Sequence, residues 1–449
     1  MNRSAPSFDV AIVGAGFCGT MLAVHLADEP RIRSVLFERD TFARGLAYST
    51  QSPRHLLNLP AGKMSAFPDK PRHFVDWLGS GDADAFVERR HYARYLRAVF
   101  DAATAGREQL VLRAASIQSI ERQAGGYRLL DDASESTRAR NVVLANGLFA
   151  PSGDMFDEAV QASPRYIGDP WSLGADKLFG DVFIVGTGLT AIDVLVELHH
   201  RRFAGTVIAV SRHGLLPQTH LSYGEPISSA PDRRDALATL RSVRKTIAEC
   251  RRSGVDWRAV VDGIRPLSRA IWQSWPLSEK QRFLRHVKPF WETSRRRVPP
   301  EPRRVISEME ANGTLRRQAG HIRSARFSEG GRFRIAVERA GDVRYVEADW
   351  IVNCSGPCND VTKIDDPLVT SLLRHGLIVP HPTSLGIQAT PQAQVIGRNG
   401  IPKRDLFATG LQMRGVLYES VSVAELSGQM KALADHLTTI VTSGTSPAR

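Results

Sequence analysis

The feature that most constrains this chain is a glycine turn between a short apolar run and a helical segment. Asp9-Val10-Ala11-Ile12-Val13 has the length of a strand buried in a parallel sheet. It runs into Gly14-Ala15-Gly16-Phe17-Cys18-Gly19, a G-x-G-x-x-G pattern, and Thr20 to Ala27 follows as an amphipathic helix. A second apolar run, Val35-Leu36-Phe37, ends on Glu38-Arg39. Strand, glycine turn, helix, strand and acid, in that order, make a dinucleotide-binding βαβ unit. Gly14 permits the tight turn. Gly16 lets the backbone approach a pyrophosphate, and Gly19 lets the helix pack close to the strand. The first turn of the helix, with Phe17 and Cys18, offers N–H groups and a positive dipole end to the phosphates. The Glu38 carboxylate suits ribose hydroxyls and repels a 2′-phosphate. The site is therefore expected to take FAD or NAD rather than NADP, with Arg39 beside the same cofactor.

A second unit repeats the pattern. Asp181-Val182-Phe183-Ile184-Val185 runs into Gly186-Thr187-Gly188-Leu189-Thr190, and Ala191 replaces the third glycine. The next strand, Thr206 to Val210, ends on Ser211-Arg212-His213 instead of an acid. A hydroxyl and a guanidinium there suit a 2′-phosphate, so this unit reads as an NADPH site, unless Arg212 is only a surface arginine. Gly186, Gly188, Leu189, Thr190, Ser211 and Arg212 are its expected contacts. Two such units in one chain imply an enzyme that moves hydride from NADPH to FAD. The fold class expected is α/β, with two Rossmann-like domains and a helical insertion in the second. The domains read as 1–172 (FAD, first part), 173–352 (NADPH, insertion about 230–299) and 353–449 (FAD, closing part).

The length of 449 residues fits two or three domains. Basic residues number 59 and acidic ones 47, a net charge of +12. That charge is scattered, and its densest run is Ser294-Arg295-Arg296-Arg297. No zinc spacing or RNP-like aromatic pattern accompanies it, so no nucleic-acid partner is expected. The four cysteines, Cys18, Cys250, Cys354 and Cys358, form no C-x-x-C pair. A reduced, cytoplasmic protein is the plain reading. No signal peptide precedes the first strand, no apolar run has membrane-spanning length, and Thr442 to Arg449 reads as a frayed tail.

Further cofactor candidates follow the first unit. Arg44 to Thr50 is a glycine loop containing Gly45 and Leu46. Asn58, Met64 and Ser65 lie in the ordered stretches after it, where a buried flavin edge needs polar partners. For the apolar residues of these stretches, core packing is the alternative. Arg89 opens a helix and is read on a phosphate or carboxylate, with a solvated basic face as the other option. Val111 to Leu130 reads as short strands with Gly125-Gly126 as a hairpin turn. Ala145-Asn146-Gly147 ends a strand on small residues and permits close ligand approach. Leu406 to Gly410 is a similar strand, followed by Met413-Arg414-Gly415 and a helix expected over Tyr418 to Leu437. That helix would turn its N-terminus to the flavin pyrimidine, with Gly410, Arg414 and Gly415 nearby. The insertion reads as helices over 232–253, 257–272 and 278–287. Its arginines Arg295 and Arg297 are candidates to clamp a substrate carboxylate, or else belong to a solvated face. A disulfide reductase of this build would carry a cysteine pair soon after Glu38. None stands there, and no metal-ligand cluster is visible, which leaves chemistry on the flavin itself.

These residues carry a resemblance. Val13 to Gly19, Gly45 to Ser49, His55 to Pro60 with Met64 to Pro68, Gly186 to Thr190 with Asp193, Ser211 to Pro217 and Asn353 to Pro357 resemble a flavoprotein family. It is the FAD/NAD(P)-binding family related to the class B N-hydroxylating monooxygenases. One branch resembles enzymes that oxidise the amine of L-aspartate to nitrosuccinate. Baeyer–Villiger relatives carry a histidine between a glycine and a tryptophan, which Gly168-Asp169-Pro170-Trp171 lacks, and Tyr418 stands where the family has tryptophan. The resemblance implies that NADPH reduces FAD, that O2 adds to reduced flavin as a C4a-hydroperoxide kept dry, and that a neutral amine attacks it. Catalysis of that kind is mainly positioning and water exclusion. The substrate is then a small amine or amino acid, with Lys63, His220, Arg295 and Arg297 as contacts, no membrane partner, and an open oligomeric state. A flavin reductase or oxidase without oxygen transfer, and a redox-sensing flavoprotein, are the other classes that the sequence admits.

Overall fold

The structure is a computed structural model and describes residues 7–173 and 178–443. The tail residues 444–449 and the segment 174–177 lie outside the described residues. The chain divides into two compact units. One runs to Gln51, resumes over Pro60–Leu148 and is completed from Asn359 onward. The other holds Ser52–Leu59 and Phe149–Cys358.

The first unit is built on a sheet of eight strands. Its parallel centre runs Pro402–Ala408, Ser136–Leu144, Ser7–Val13, Ser34–Glu38, Leu110–Ala114. The register places Val13 beside both Phe37 and Leu144, so all three strands finish at one level. In such sheets ligands bind beyond these carboxyl ends. The expected hairpin is present as Ile117–Gln123 and Gly126–Asp131, and its second strand pairs antiparallel with the start of Ser136–Leu144. Gln394–Ile396 closes the other edge antiparallel to Pro402–Ala408.

Helix Phe17–Ala27 differs from the expected amphipathic helix. Every residue in it except His25 is buried. The helices Arg89–Thr104 and Val423–Thr442 both pack on it, and a helix covered on all sides has no polar face to offer water. The C-terminal helix also departs from expectation. Tyr418 takes φ +57° and ends a short helical turn, Arg414–Leu417, and the long helix starts afresh at Val423 and runs to Thr442.

The second unit carries a five-stranded parallel sheet ordered Leu315–Ala319, Val207–Ser211, Val182–Val185, Trp350–Asn353, Tyr166–Ile167. Successive side chains of these strands point to opposite faces. Ile184, Val207 and Ala209 pack with the helices Leu189–His200 and Pro300–Ala311, through Ile192, Leu195, Val305 and Ile306. Phe183, Val185, Ile208 and Val210 pack with Phe333, Ile335 and Val337 of a three-stranded antiparallel sheet, His321–Phe327, Phe333–Arg339 and Asp342–Ala348. Residues 149–172 lie in this unit rather than in the first, because Tyr166–Ile167 pairs in parallel with Trp350–Asn353.

The insertion is helical, as expected, with finer breaks. Helix Ala236–Arg252 is followed by Trp257–Ile264, and a 3-10 turn at Arg265–Leu267 carries Pro266. Ser268–Ser274, Leu277–His286 and Lys288–Arg295 complete it. A single helix over 257–272 fails because proline supplies no N–H to a helix interior. Among the described residues no helix is long and apolar enough to cross a membrane.

Candidate functional site

The first glycine turn is shaped by contacts that admit no side chain. Gly14 sits at φ +99°, and a Cβ on it would stand 2.8 Å from the Ala145 carbonyl oxygen. A Cβ on Gly19 would stand 1.8 Å from the Gly14 carbonyl oxygen. Gly45, at φ +63°, seats its loop on the turn, where an added Cβ would lie 2.9 Å from the Gly16 Cα. Gly16 caps helix Phe17–Ala27 and has no side chain to bond the first-turn N–H groups. Those donors are left for an anion. Glu38 lies at the end of its strand as expected. Its Oε2 accepts from the Ala15 N–H at 2.7 Å and its Oε1 from Asp40 N–H at 3.1 Å. The carboxylate is thus held against the turn. Arg39 points outward and faces Asp40 at 3.6 Å.

Around this turn the strand ends converge. Thr409 N–H donates to Leu144 O at 3.0 Å. A Cβ on Gly410, which has φ +62°, would lie 3.3 Å from Cys18 Sγ. Burial pushes the Cys18 thiol up to about 12 despite its hydrogen bond with Thr409. Gln412 donates through Nε2 to Asn146 Oδ1 at 2.6 Å, across 266 positions of sequence. Gly147 has open space around it, and Ala145 is buried. Arg414 is buried, donates to Asn359 Oδ1 at 3.5 Å and lies over the Tyr418 ring. Gly415 donates its N–H to Leu385 O at 2.7 Å, and a Cβ there would run into the His381 ring at 2.4 Å. Thr409, Gln412, Asn359 and His381 were not legible as site residues, because their partners come from far along the chain.

Leu46 opens a short 3-10 turn beside Gly45, and Arg89 opens helix Arg89–Thr104, close enough for its charge to act on Tyr48. Met64 is buried. Ser65 is corrected to a local role. Its hydroxyl donates to Lys70 O at 2.7 Å, accepts from Phe67 N–H at 3.2 Å and bonds the Tyr95 hydroxyl, so groups of the protein already occupy it. Asn58 lies in the second unit, where its carbonyl accepts from His220 Nε2 at 2.9 Å. Ser52 Oγ donates to Glu197 at 2.7 Å and holds the same segment to helix Leu189–His200.

The second turn repeats the first. Gly186 also sits at φ +99°, with an added Cβ 2.6 Å from Cys354 O. Gly188 caps helix Leu189–His200 with no side chain and open space around it. Leu189 and Thr190 form the first turn, both partly buried. Ala191 is fully buried in place of the third glycine. Ser211 is fixed by a relay of hydroxyls. It donates to Thr187 Oγ1 at 2.8 Å, Thr187 donates to Leu215 O at 2.5 Å, and Gly214 N–H donates to Ser211 Oγ at 3.0 Å. Arg212 follows, exposed, with no ion pair among the described residues.

The substrate candidates separate. Lys63 is exposed at the end of a 3-10 turn in the first unit, and His220 is spent on Asn58. Arg295 is buried at the end of helix Lys288–Arg295. Arg297 is corrected to a structural residue. It is 2% exposed and forked on Asp262 by two bonds of 3.0 Å. Its Nε donates to Ser294 O at 2.9 Å, and the rings of Trp257 and Tyr223 flank it. A guanidinium with its fork already filled cannot clamp a second carboxylate.

Comparisons with known proteins agree with this geometry. Residues 11–149 match a protein-family model described as FAD-NAD(P)-binding. An uncharacterized protein of Mycobacterium tuberculosis is 23% identical, over 87% of this chain and 89% of its own. The ornithine N-hydroxylase of a Kutzneria species, solved with reduced FAD, NADP+ and L-ornithine, superposes with TM-score 0.64 at 16% identity, over 96% of this chain and 99% of its own. The FAD-bound cadaverine monooxygenase of Erwinia amylovora gives 0.66 at 12% identity, over 96% and 95%. A bacillithiol disulfide reductase of Bacillus cereus gives 0.58 at 11% identity, over 97% and 99%. At these identities the likeness is one of fold, and that fold is the α/β architecture of flavoproteins with two dinucleotide-binding units.

Proposed function

We propose that this chain is an FAD-dependent NADPH monooxygenase that hydroxylates the amine of a small amino acid, aspartate-like in size and charge. The observation that carries the reading is the pairing of two glycine turns with different strand ends. Glu38 stands at the first, and Ser211 with Arg212 at the second. The residues fit the two cofactors. The uncapped first turn of helix Phe17–Ala27 would hold a pyrophosphate, and Glu38 would take the adenosine ribose hydroxyls. The exposed Arg212 would take a 2′-phosphate beside the fixed Ser211 hydroxyl. Bound FAD would supply the centre that accepts hydride from NADPH and reacts with O2. The chain's own task is to orient both cofactors and the amine and to keep water out. The solved N-hydroxylases that share the fold act on ornithine and cadaverine, which supports an amine as substrate.

The cysteines do not support a thiol-relay reductase, although a disulfide reductase shares the fold. The Cys18 thiol is held up at about 12, Cys354 is raised by burial and by the Asp193 charge, and only Cys250 is not buried. A thiol kept protonated is a poor nucleophile.

The test is a panel of amino acids and small amines, aspartate included, scored for NADPH oxidation, hydroxylated product and peroxide. Amine-dependent product matching NADPH consumed is expected. NADPH oxidation that yields only peroxide with every amine would sink the monooxygenase reading. In the same assay Arg212→Ala should raise the KM for NADPH about 10–100-fold, the worth of a lost charge-assisted contact, and leave NADH use unchanged. An equal effect on both coenzymes would remove Arg212 from 2′-phosphate recognition.

A further inference from the structure

We propose that the buried amide of Gln412 binds the ribityl chain of FAD, its unpaired oxygen accepting a hydrogen bond from one ribityl hydroxyl. The inference rests on the flavin reading above. Gln412 lies in the 3-10 turn Gly410–Met413 and is 5% exposed. Its backbone is held in place. The carbonyl accepts from Ile387 N–H at 3.0 Å, and a Cβ added to Gly386 would stand 2.1 Å from that oxygen. The side chain donates to Asn146 through Nε2, and Oε1 is sealed from water with no partner among the described residues. Native chains seldom bury a polar atom without a partner, because the water it gave up is not replaced. Bracing Asn146 uses one end of the amide and leaves the other unexplained.

The sheet decides which part of the cofactor comes to this place. Ser34–Glu38 lies on one side of the central strand Ser7–Val13, and Ser136–Leu144 and then Pro402–Ala408 lie on the other. The glycine turn follows the central strand. Glu38 ends the strand on the first side, where the adenosine ribose is read. Asn146 and Gln412 follow the strands on the other side. Both segments touch the turn. A Cβ on Gly14 would stand 3.1 Å from Asn146 N, and one on Gly410 would stand 3.3 Å from Cys18 Sγ in the first turn of the helix. Gly147 has nothing within 4 Å of an added Cβ, so there is room beyond this strand end. A dinucleotide with its pyrophosphate at the turn and its adenosine toward Glu38 lays its other half over these strand ends. On that half of FAD, the group next to the pyrophosphate is the ribityl chain. Pyrophosphate oxygens have no proton to give at neutral pH. Each ribityl hydroxyl has one, and that is what a lone amide oxygen needs.

The experiment strips FAD from the full-length protein and measures its return by flavin fluorescence, in wild type and in Gln412→Leu. The probes are FAD, a set of FAD analogues each lacking one ribityl hydroxyl, and ADP. ADP keeps the adenosine and the pyrophosphate but has no ribityl chain, and its affinity is read as competition against FAD. Gln412→Leu should bind FAD about ten-fold more weakly, the worth of one buried hydrogen bond, with the ADP inhibition constant unchanged. Wild type should lose about ten-fold toward one of the analogues, and Gln412→Leu should bind that analogue as it binds FAD. Equal FAD affinity in the two proteins would overturn the assignment and leave a buried water as the partner of Oε1. An equal loss for FAD and ADP would overturn it as well, and make Gln412 a support of the glycine turn only. Where Gln412→Leu does not fold, wild type decides alone, and equal binding of FAD and every analogue overturns the assignment. Wild type that takes up no FAD would overturn the flavin reading itself.

Discussion

Gly19→Ala is expected to purify without colour, if it accumulates as folded protein at all. The added Cβ would stand 1.8 Å from Gly14 O and 2.9 Å from Gly14 C. A carbon needs about 3.3 Å or more from a carbonyl oxygen. Both obstacles are backbone, so no rotamer can relieve the clash. Helix Phe17–Ala27 would have to back away from strand Ser7–Val13, and it is buried against other helices on its far side. Overpacking of this kind costs about 1–3 kcal/mol or more, out of a total stability of roughly 5–15. The same shift would carry the first-turn N–H groups away from a pyrophosphate. FAD per protein should therefore fall below about a tenth of wild type, whatever remains folded. Gly428→Ala is the matched control, since nothing lies within 4 Å of its added Cβ, its φ is ordinary and it is exposed on helix Val423–Thr442. Gly19→Ala protein with a full complement of FAD would show that the helix does not need this close approach.

Asp262→Ala should cost about 3–5 kcal/mol of stability, the penalty for stranding a buried charge. Arg297 is almost wholly sealed from water, and Asp262 meets both of its terminal nitrogens. Tyr223 OH donates to the same carboxylate. With Asp262 gone, the guanidinium keeps its bond to Ser294 O and its neighbours Trp257 and Tyr223, none of which carries a compensating charge. Arg297→Met should cost less, because it removes the buried charge along with the pair and leaves the better-hydrated partner behind. Urea unfolding of the two variants measures the order. Any Asp262→Ala enzyme that survives should show an unchanged KM for the amine. A variant within about 1 kcal/mol of wild type but with a changed amine KM would return Arg297 to the substrate.

Both substitutions bear on what could be read from the chain. The glycine turns were legible because each needs glycine for a local reason, a φ near +99° or a backbone contact one turn away. Glu38 was legible because a strand end is a fixed place in a βαβ unit. Arg297 misled because an arginine-rich run looks the same whether it faces solvent, a ligand or a buried aspartate. Asp262 lies 35 positions earlier, and nothing in its neighbourhood advertises the pair. Ser65 misled in the opposite sense, since its hydroxyl closes a turn within five residues.

Local order therefore came from the sequence itself: two strand–turn–helix units, the acid at one strand end, the serine and arginine at the other, and a helical insertion between them. These depend on short-range sterics and hydrophobic period, which neighbouring residues settle among themselves. Only the tertiary structure decided that Gln412 would brace Asn146, that Tyr418 would break the last helix and that Asp262 would consume Arg297. Each of these joins groups whose meeting depends on how whole elements pack, and a polar group shut away from water takes whichever partner that packing brings within reach.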